Sequence, residues 1–82
     1  MNAKKLQEAE KILRETLLFP EAASIVPEGE NARIQVCEED CLNVWFARDC
    51  IIPAVREAGF SHVSLDLEGG GGKLMLYRHK HA

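Results

Sequence analysis

The clearest pattern along the chain is an alternation of apolar and polar side chains from residue 62 to residue 67. Val63, Leu65 and Leu67 fall on one face of an extended segment, and the polar residues between them fall on the other. Gly59 stands shortly before this run, and glycine adopts the left-handed conformation that follows many helices without steric cost. The pattern therefore predicts a helix that ends at Gly59 and a half-buried strand over 62–67.

Residues 3–18 have the period of an amphipathic helix. Their apolar side chains recur at steps of three and four, with lysine, glutamine and glutamate on the opposite side. Phe19 precedes Pro20, and a residue before proline is disfavoured in the helical conformation, so we expect the helix to end there. The predicted buried stripe consists of Leu6, Ala9, Ile12, Leu13, Leu17 and Leu18.

Residues 38–58 also follow a helical period, with a predicted interruption. Pro53 would remove one helical hydrogen bond and clash with the preceding turn. Asp49 lies four residues earlier and is a good N-cap, so we predict a break near 48–50 and a second helix that begins there. The apolar stripe of the first part is Leu42, Trp45 and Phe46, and we expect Trp45 to lie in the core.

The remaining apolar runs predict strands over 23–26, 32–36 and 73–78. Residues 27–31 contain proline, glycine and asparagine, which favour a turn, so the first two strands should form a hairpin. A right-handed strand–helix–strand crossover should then place two strands parallel. The sequence therefore predicts an α+β fold: a single mixed four-stranded sheet with two main helices packed on one face, in the order helix-strand-strand-helix-strand-strand.

The 82 residues carry a net charge of −3 and predict one domain over 1–82. Acidic and basic residues are mixed along the chain, and no basic stripe is present to follow a phosphate backbone, which argues against a nucleic-acid partner. The N-terminal stretch lacks the apolar core of a secretion signal, and no segment suits a membrane span. We therefore expect a cytoplasmic protein whose thiols are reduced.

Three parts of the sequence together resemble the C-terminal domain of LarE-like proteins. They are Ala32-Arg33-Ile34-Gln35-Val36, the helix end at Gly59-Phe60, and Val63-Ser64-Leu65-Asp66-Leu67-Glu68-Gly69. The family comprises ATP-dependent sacrificial sulfur transferases of the PP-loop ATP pyrophosphatase group, and its members read close to "ARIEV" and "GF-x-x-V-T-L-D-L-E-G". The resemblance covers residues 32–69, flanked by the N-terminal helix at 3–18 and by the C-terminal strand and tail at 73–82.

This resemblance implies the family's fold but not its reaction. The chain contains no Ser-Gly-Gly-x-Asp-Ser loop to hold ATP phosphates, and the segment with the family's sulfur-donating cysteine has no counterpart. After "LEG" the family continues with Tyr-Arg-x-Gly-Ser, whereas here Gly70-Gly71-Gly72-Lys73 follows. The chain thus resembles a stand-alone, catalytically incomplete relative, with a separate PP-loop protein as an expected partner.

One alternative is the binding of an anion or nucleotide at the glycine-rich loop 68–73. Successive backbone N–H groups can form an anion nest, and a lysine can add a charge. A Walker loop opens a helix, however, whereas this one precedes a strand, so a flexible hairpin loop is the simpler interpretation. The candidate ligand-binding residues are Gly70, Gly71, Gly72, Lys73, Arg33 and Asp66.

A thiol or zinc protein is the third alternative. Cys37, Cys41 and Cys50 have the spacing C-x3-C-x8-C. Structural zinc sites usually combine two close pairs of ligands, and here the fourth ligand would have to be His62 or His79. Cysteine also packs as a small apolar side chain, so we expect neither a metal nor a cofactor.

The preferred hypothesis is a non-catalytic module that forms a homodimer or higher oligomer. Alternation places Met75 and Tyr77 on the polar face of the sheet, beside Arg33, Ser64 and Asp66. Apolar side chains on such a face suggest that another protein covers it, most simply a second copy. Unpaired edges of the predicted sheet favour the same interpretation.

Overall fold

The computed structural model describes residues 2–67 and 72–78. Within them the chain forms three helices and four strands, with short 3-10 turns at Pro20–Ala22 and Glu38–Asp40. In chain order these are α1 (Ala3–Glu15), β1 (Ser24–Glu28), β2 (Asn31–Gln35), α2 (Cys41–Phe46), α3 (Arg48–Glu57), β3 (His62–Leu67) and β4 (Gly72–Arg78). In this part of the chain, no helix is both long enough and apolar enough to cross a bilayer.

The four strands form one mixed sheet in the order β1-β2-β3-β4. The pairs β1–β2 and β3–β4 are antiparallel, and β2–β3 is parallel. The parallel pair needs a long connection, which α2 and α3 supply. The predicted α+β fold and the predicted parallel crossover are confirmed.

The core lies between the sheet and the two longer helices, α1 and α3. Strand side chains from β1, β2 and β3 alternate, so one face of the sheet is turned towards this layer. The buried apolar residues are Ala9, Leu13, Ala23, Ile25, Ala32, Ile34, Val36, Val44, Ile51, Val55, Ala58, Phe60, Val63 and Leu65. The inward positions predicted for β3 are confirmed at Val63 and Leu65; the side chain of Leu67 lies outside the described residues.

Helix α1 is shorter than the predicted helix over 3–18. It begins with Asn2, whose side chain accepts a hydrogen bond from the Lys5 backbone N–H, and it ends at Glu15. The Thr16 hydroxyl then donates to the Leu13 carbonyl at 2.8 Å, which satisfies one of the free carbonyls at the helix end. Leu18, predicted in the buried stripe, is 69% exposed.

The hairpin between β1 and β2 is tighter than the predicted turn over 27–31. Strand β1 continues to Glu28 and pairs it with Asn31, which leaves Gly29 and Glu30 as the turn. Gly29 has a φ of +60°, the sign that a two-residue type II′ turn requires at its first central position. The predicted turn over 27–31 was therefore too wide: Pro27 and Glu28 belong to β1, and Asn31 belongs to β2.

The predicted interruption of the 38–58 helix occurs at Ala47, one residue before the expected range. Asp49 is not the N-cap, because it lies in the first turn of α3, whose N-cap is Ala47 without a side-chain hydrogen bond. Pro53 lies inside α3. At the other end Gly59 has a φ of +111°, which confirms the glycine-terminated helix end.

Tyr77 lies on the opposite face of the sheet from the one predicted. A bulge shifts the register of β4, so that Ser64 pairs with Met75 but Val63 pairs with Tyr77. Tyr77 therefore shares the helix-covered face with Val63, where the Arg56 guanidinium lies 4.5 Å from its ring centroid. Met75 remains on the polar face, as expected, and is 49% exposed.

Candidate functional site

The sheet face turned away from α1 and α3 carries two of the predicted ligand-binding residues, Arg33 and Asp66. Arg33 in β2 lies opposite Ser64 in β3, and Gln35 lies opposite Asp66. Arg33 and Asp66 are thus diagonal neighbours on adjacent strands rather than a directly opposed pair. Arg33 and Asp66 therefore lie on one face of the sheet, but Arg33 forms its ion pair with a different residue.

That partner is Glu28 on β1. Its Oε2 atom lies 3.5 Å from Arg33 Nη1, between side chains that are 36% and 25% exposed. Arg33 Nε is buried without a hydrogen-bond partner, and so is Oδ1 of Asn31, whose amide nitrogen donates to Ser64 Oγ at 2.9 Å. An incoming anion would have to compete with Glu28 for the guanidinium, so this geometry does not favour Arg33 as an anion site.

The glycine-rich candidate site lies largely outside the described residues. Gly70 and Gly71 fall in the undescribed stretch, while Gly72 and Lys73 begin β4. In the register of the sheet, Lys73 lies opposite Asp66. Anion binding at this loop therefore stays a prediction. Lys73, the basic residue of the loop that the structure describes, lies in β4 opposite the acidic residue Asp66.

The three cysteines are reduced thiols and lie in two different places. Cys41 Sγ donates to the Cys37 backbone carbonyl at 3.8 Å, one turn earlier, whereas Cys50 is exposed on α3. Over residues 2–67 and 72–78, no three His, Cys, Asp or Glu side chains are placed together to hold a metal ion. Burial raises the pKa of the Cys37 thiol, as do hydrogen bonds to Glu39 and Asp40, which disfavours the thiolate that metal binding or nucleophilic attack needs.

The sequence analysis missed Asp40, a fully buried carboxylate. Its oxygens accept hydrogen bonds from the backbone N–H groups of Leu18 and Phe19, at 2.8 and 2.9 Å, and from the Asn43 amide at 2.9 Å. Burial by itself raises the pKa of Asp40, but these hydrogen bonds outweigh it and lower the pKa below the usual value. In sequence Asp40 differs from the exposed Glu38 and Glu39 as a preferred N-cap residue, which indicates a position at the start of a helix but not burial.

The apolar stripe of α2 is present but points out of the molecule. Leu42 is 67% exposed and Phe46 76%, and Trp45, predicted to be core, is 36% exposed. The Arg48 guanidinium lies 4.2 Å from the Trp45 ring centroid on the outer side. The buried residue of α2 is instead Val44.

An open apolar groove of about 370 Å³ lies between α2 and the β3–β4 hairpin. Its lining residues are Cys41, Leu42, Trp45, Leu65 and Leu74. Leu74 is directly opposite Leu65 in the sheet and is still 38% exposed, so the groove floor continues to the outer strand. Apart from the Cys41 thiol, these residues provide contact area and shape but no ionisable group.

A larger depression of about 600 Å³ lies at the C-terminal end of α3. Its walls mix apolar residues such as Ile52 and Phe60 with the charged pair Arg56 and Glu57. Arg56 already stacks on Tyr77, and Glu57 is within 4.0 Å of Lys5. The charges that could select a ligand there are therefore engaged within the molecule.

The described residues thus offer one apolar surface, built from α2, the end of β3 and the start of β4. The polar face of the sheet has side-chain hydrogen bonds and one ion pair among its own residues, while Arg33 Nε and Asn31 Oδ1 are buried without a hydrogen-bond partner. The cysteines are dispersed. No family model, curated protein or solved structure matches this chain.

Proposed function

We propose that this chain is a non-catalytic interaction module that self-associates through the apolar surface of α2 and β4. The observation that carries the proposal is the exposure of Leu42, Trp45 and Leu74 around one groove, together with Phe46, which is exposed on the same helix. Three of the four belong to one short helix with a helical apolar period. A helix normally turns such a stripe towards a partner, and in this chain its own sheet is not that partner.

The walls of the groove favour an apolar partner surface. Neither α2, over residues 41–46, nor the segment 74–77 of β4 contains a charged residue. At about 150–250 Å² for an aromatic side chain, the exposed fractions of Trp45 and Phe46 amount to roughly 200 Å². The aliphatic residues around them add a comparable area, a substantial part of the ~800 Å² per partner in a standard interface.

A second copy is the partner that this surface favours. Association of identical chains around a twofold axis requires a self-complementary patch, and an uncharged patch has no like charges to oppose. The small size of the chain points the same way, because 82 residues bury a limited core and association adds burial.

The resemblance to the C-terminal domain of LarE-like proteins supports a second part of this proposal. A module of that kind, detached from its catalytic half, would act as an accessory to a separate PP-loop protein. The same apolar groove would then receive a surface of the catalytic partner.

The proposal is tested by the mass of the chain in solution. Analytical ultracentrifugation over a concentration series should show a species of twice the 9.2 kDa chain mass or more. Phe46→Lys places a charge on the exposed apolar surface and should shift the equilibrium towards one chain. Gln7→Lys, on an exposed position of α1, is the matched control and should leave the mass unchanged.

A pull-down from a source that contains PP-loop proteins gives the second arm. If the 9.2 kDa chain stays monomeric at all concentrations but retains a PP-loop protein that Phe46→Lys loses, the accessory role holds and self-association fails. A monomer without any such partner would overturn the proposed function.

A further inference from the structure

Building on the proposed self-association, we infer that two copies pair through β4, antiparallel about a twofold axis at Met75. In this arrangement the two four-stranded sheets join into one sheet of eight strands. The axis is perpendicular to the sheet, so α1 and α3 of both copies lie on the same side. The proposed function gives the surface, α2 and β4, and leaves open how the two copies are oriented and which residues meet.

Strand β4 is the more suitable of the two sheet edges. The strand order leaves one side of β1 and one side of β4 unpaired within the described sheet. β1 is five residues long and includes Pro27, which has no N–H to donate to a neighbouring strand. β4 is seven residues long and contains no proline, so it offers a longer ladder of donors and acceptors.

The register that uses all of β4 is centred on Met75, the middle residue of Gly72–Arg78. It places Lys73 opposite Tyr77 of the second copy, and Gly72 opposite Arg78. No cation then faces another cation across the seam, which would be destabilising. Leu74 lies opposite Leu76 of the second copy, the residue that the bulge adds to β4, so an apolar residue faces an apolar one on each side of the axis.

The same register covers apolar side chains that are exposed in the single chain. Met75 is 49% exposed on an otherwise polar face, and on the axis it would contact Met75 of the second copy. On the other face, Leu74 lines the groove at the edge strand of the sheet. In the dimer, β4 of the second copy would extend the apolar surface of this groove. Leu42 of α2, which lines the same groove as Leu74, then borders the seam.

The bulge in β4 is the feature that most opposes this pairing. Bulges increase local twist and protect many natural sheet edges. Here the shift falls between Val63 and Ser64 and turns Tyr77 onto the helix-covered face. The stretch from Gly72 to Met75 keeps a regular register with β3, so in each half of the seam this regular stretch would pair with the bulged stretch, Leu76 to Arg78, of the second copy.

Met75→Lys tests the geometry directly. It places two ammonium groups against each other at the axis while leaving an exposed side chain exposed in the single chain. We expect the dissociation constant to rise by at least about tenfold in sedimentation equilibrium. Ser24→Lys, on the same sheet face but at the β1 edge, is the control and should leave the constant within about twofold of the unchanged chain.

A cross-link gives a readout independent of affinity. Directly opposed residues of antiparallel strands have Cα atoms about 4.5–5.5 Å apart, within the range of a disulfide. Met75→Cys should therefore form a disulfide between two copies on mild oxidation, identified by mass spectrometry of the linked peptides. Ser24→Cys should not.

The outcomes separate the two proposals. If the chain self-associates but Met75→Lys has no effect and Met75→Cys gives no cross-link, the β4 seam is wrong and the proposed function stands. If Phe46→Lys and Met75→Lys both dissociate the oligomer and the cross-link forms, both hold. A chain that is monomeric throughout overturns the β4 seam and the self-association, and the pull-down then decides whether the accessory role holds.

Discussion

Asp40 Oδ1 lies 2.8 Å from the backbone nitrogen of Leu18, a residue 22 positions earlier in the chain. Its other carboxylate oxygen accepts the N–H of Phe19. The carboxylate thus holds the segment after α1 against the turn that begins α2. These hydrogen bonds satisfy backbone donors that would otherwise lose water on burial, and they explain why a charged group is tolerated with no exposed surface.

Asp40→Asn should destabilise the fold by about 2–3 kcal/mol, the range expected for loss of charge-assisted hydrogen bonds. An amide keeps one acceptor oxygen but turns an NH₂ group towards one of the two backbone N–H donors. Urea unfolding followed by Trp45 fluorescence would measure the change. Asp49→Asn removes an exposed carboxylate from α3 and is the matched control, with an expected change below about 0.5 kcal/mol. Equal effects of the two substitutions would contradict the role given to Asp40.

The lowered pKa of Asp40 predicts an acid dependence of stability with a definite sign. A carboxyl group whose pKa is lower in the folded state than in the unfolded one stabilises the fold above the unfolded value of 3.8. This contribution is lost as the pH falls below 3.8 through the folded pKa. Between pH 6 and pH 3 the unchanged chain should therefore lose more unfolding free energy than Asp40→Asn. A parallel decline in both proteins would show that Asp40 does not titrate in this way.

Gly59→Ala should destabilise the chain by roughly 1–3 kcal/mol, because residue 59 has a φ of +111°, where a Cβ atom is strained. The backbone cannot relax freely, since Ala58 and Phe60 on either side are both buried. Thermal or urea unfolding would measure the loss. Glu57→Ala, an exposed substitution at the end of the same helix, should change stability by less than about 0.5 kcal/mol, and an equal loss in both variants would contradict the argument.

Alternation and turn chemistry were enough to predict the sheet. The inward apolar residues of β2 and β3 follow a period of two, and the long helical connection between these strands allows the parallel pairing. Periodicity did not predict the bulge in β4. The bulge shifts the register with β3 by one residue and so moves Tyr77 to the opposite face of the sheet.

The candidate surface was predicted less well, for a physical reason. A helical apolar period identifies the face that must be covered but not the molecule that covers it, so Trp45 was assigned to the core. The buried residue of α2 is instead Val44. Asp40 holds the start of this helix through its hydrogen bond with Asn43, and the apolar stripe of the helix faces outward. Buried carboxylates such as Asp40 leave no periodic signal, because their partners are backbone groups far away in sequence.

The cysteines should differ in reactivity according to their surroundings. Cys37 is partly buried, its Sγ lies 3.6 Å from Asp40 Oδ2, and its pKa is raised by burial and by neighbouring carboxylates. Cys50 is exposed on α3. Because the thiolate is the reactive form, iodoacetamide at pH 8 should modify Cys50 at least about tenfold faster than Cys37 in the folded chain. Peptide mass spectrometry over a time course would give both rates, and in urea the two should converge. Faster modification of Cys37 in the folded chain would show that its thiol is neither shielded nor held in the protonated form.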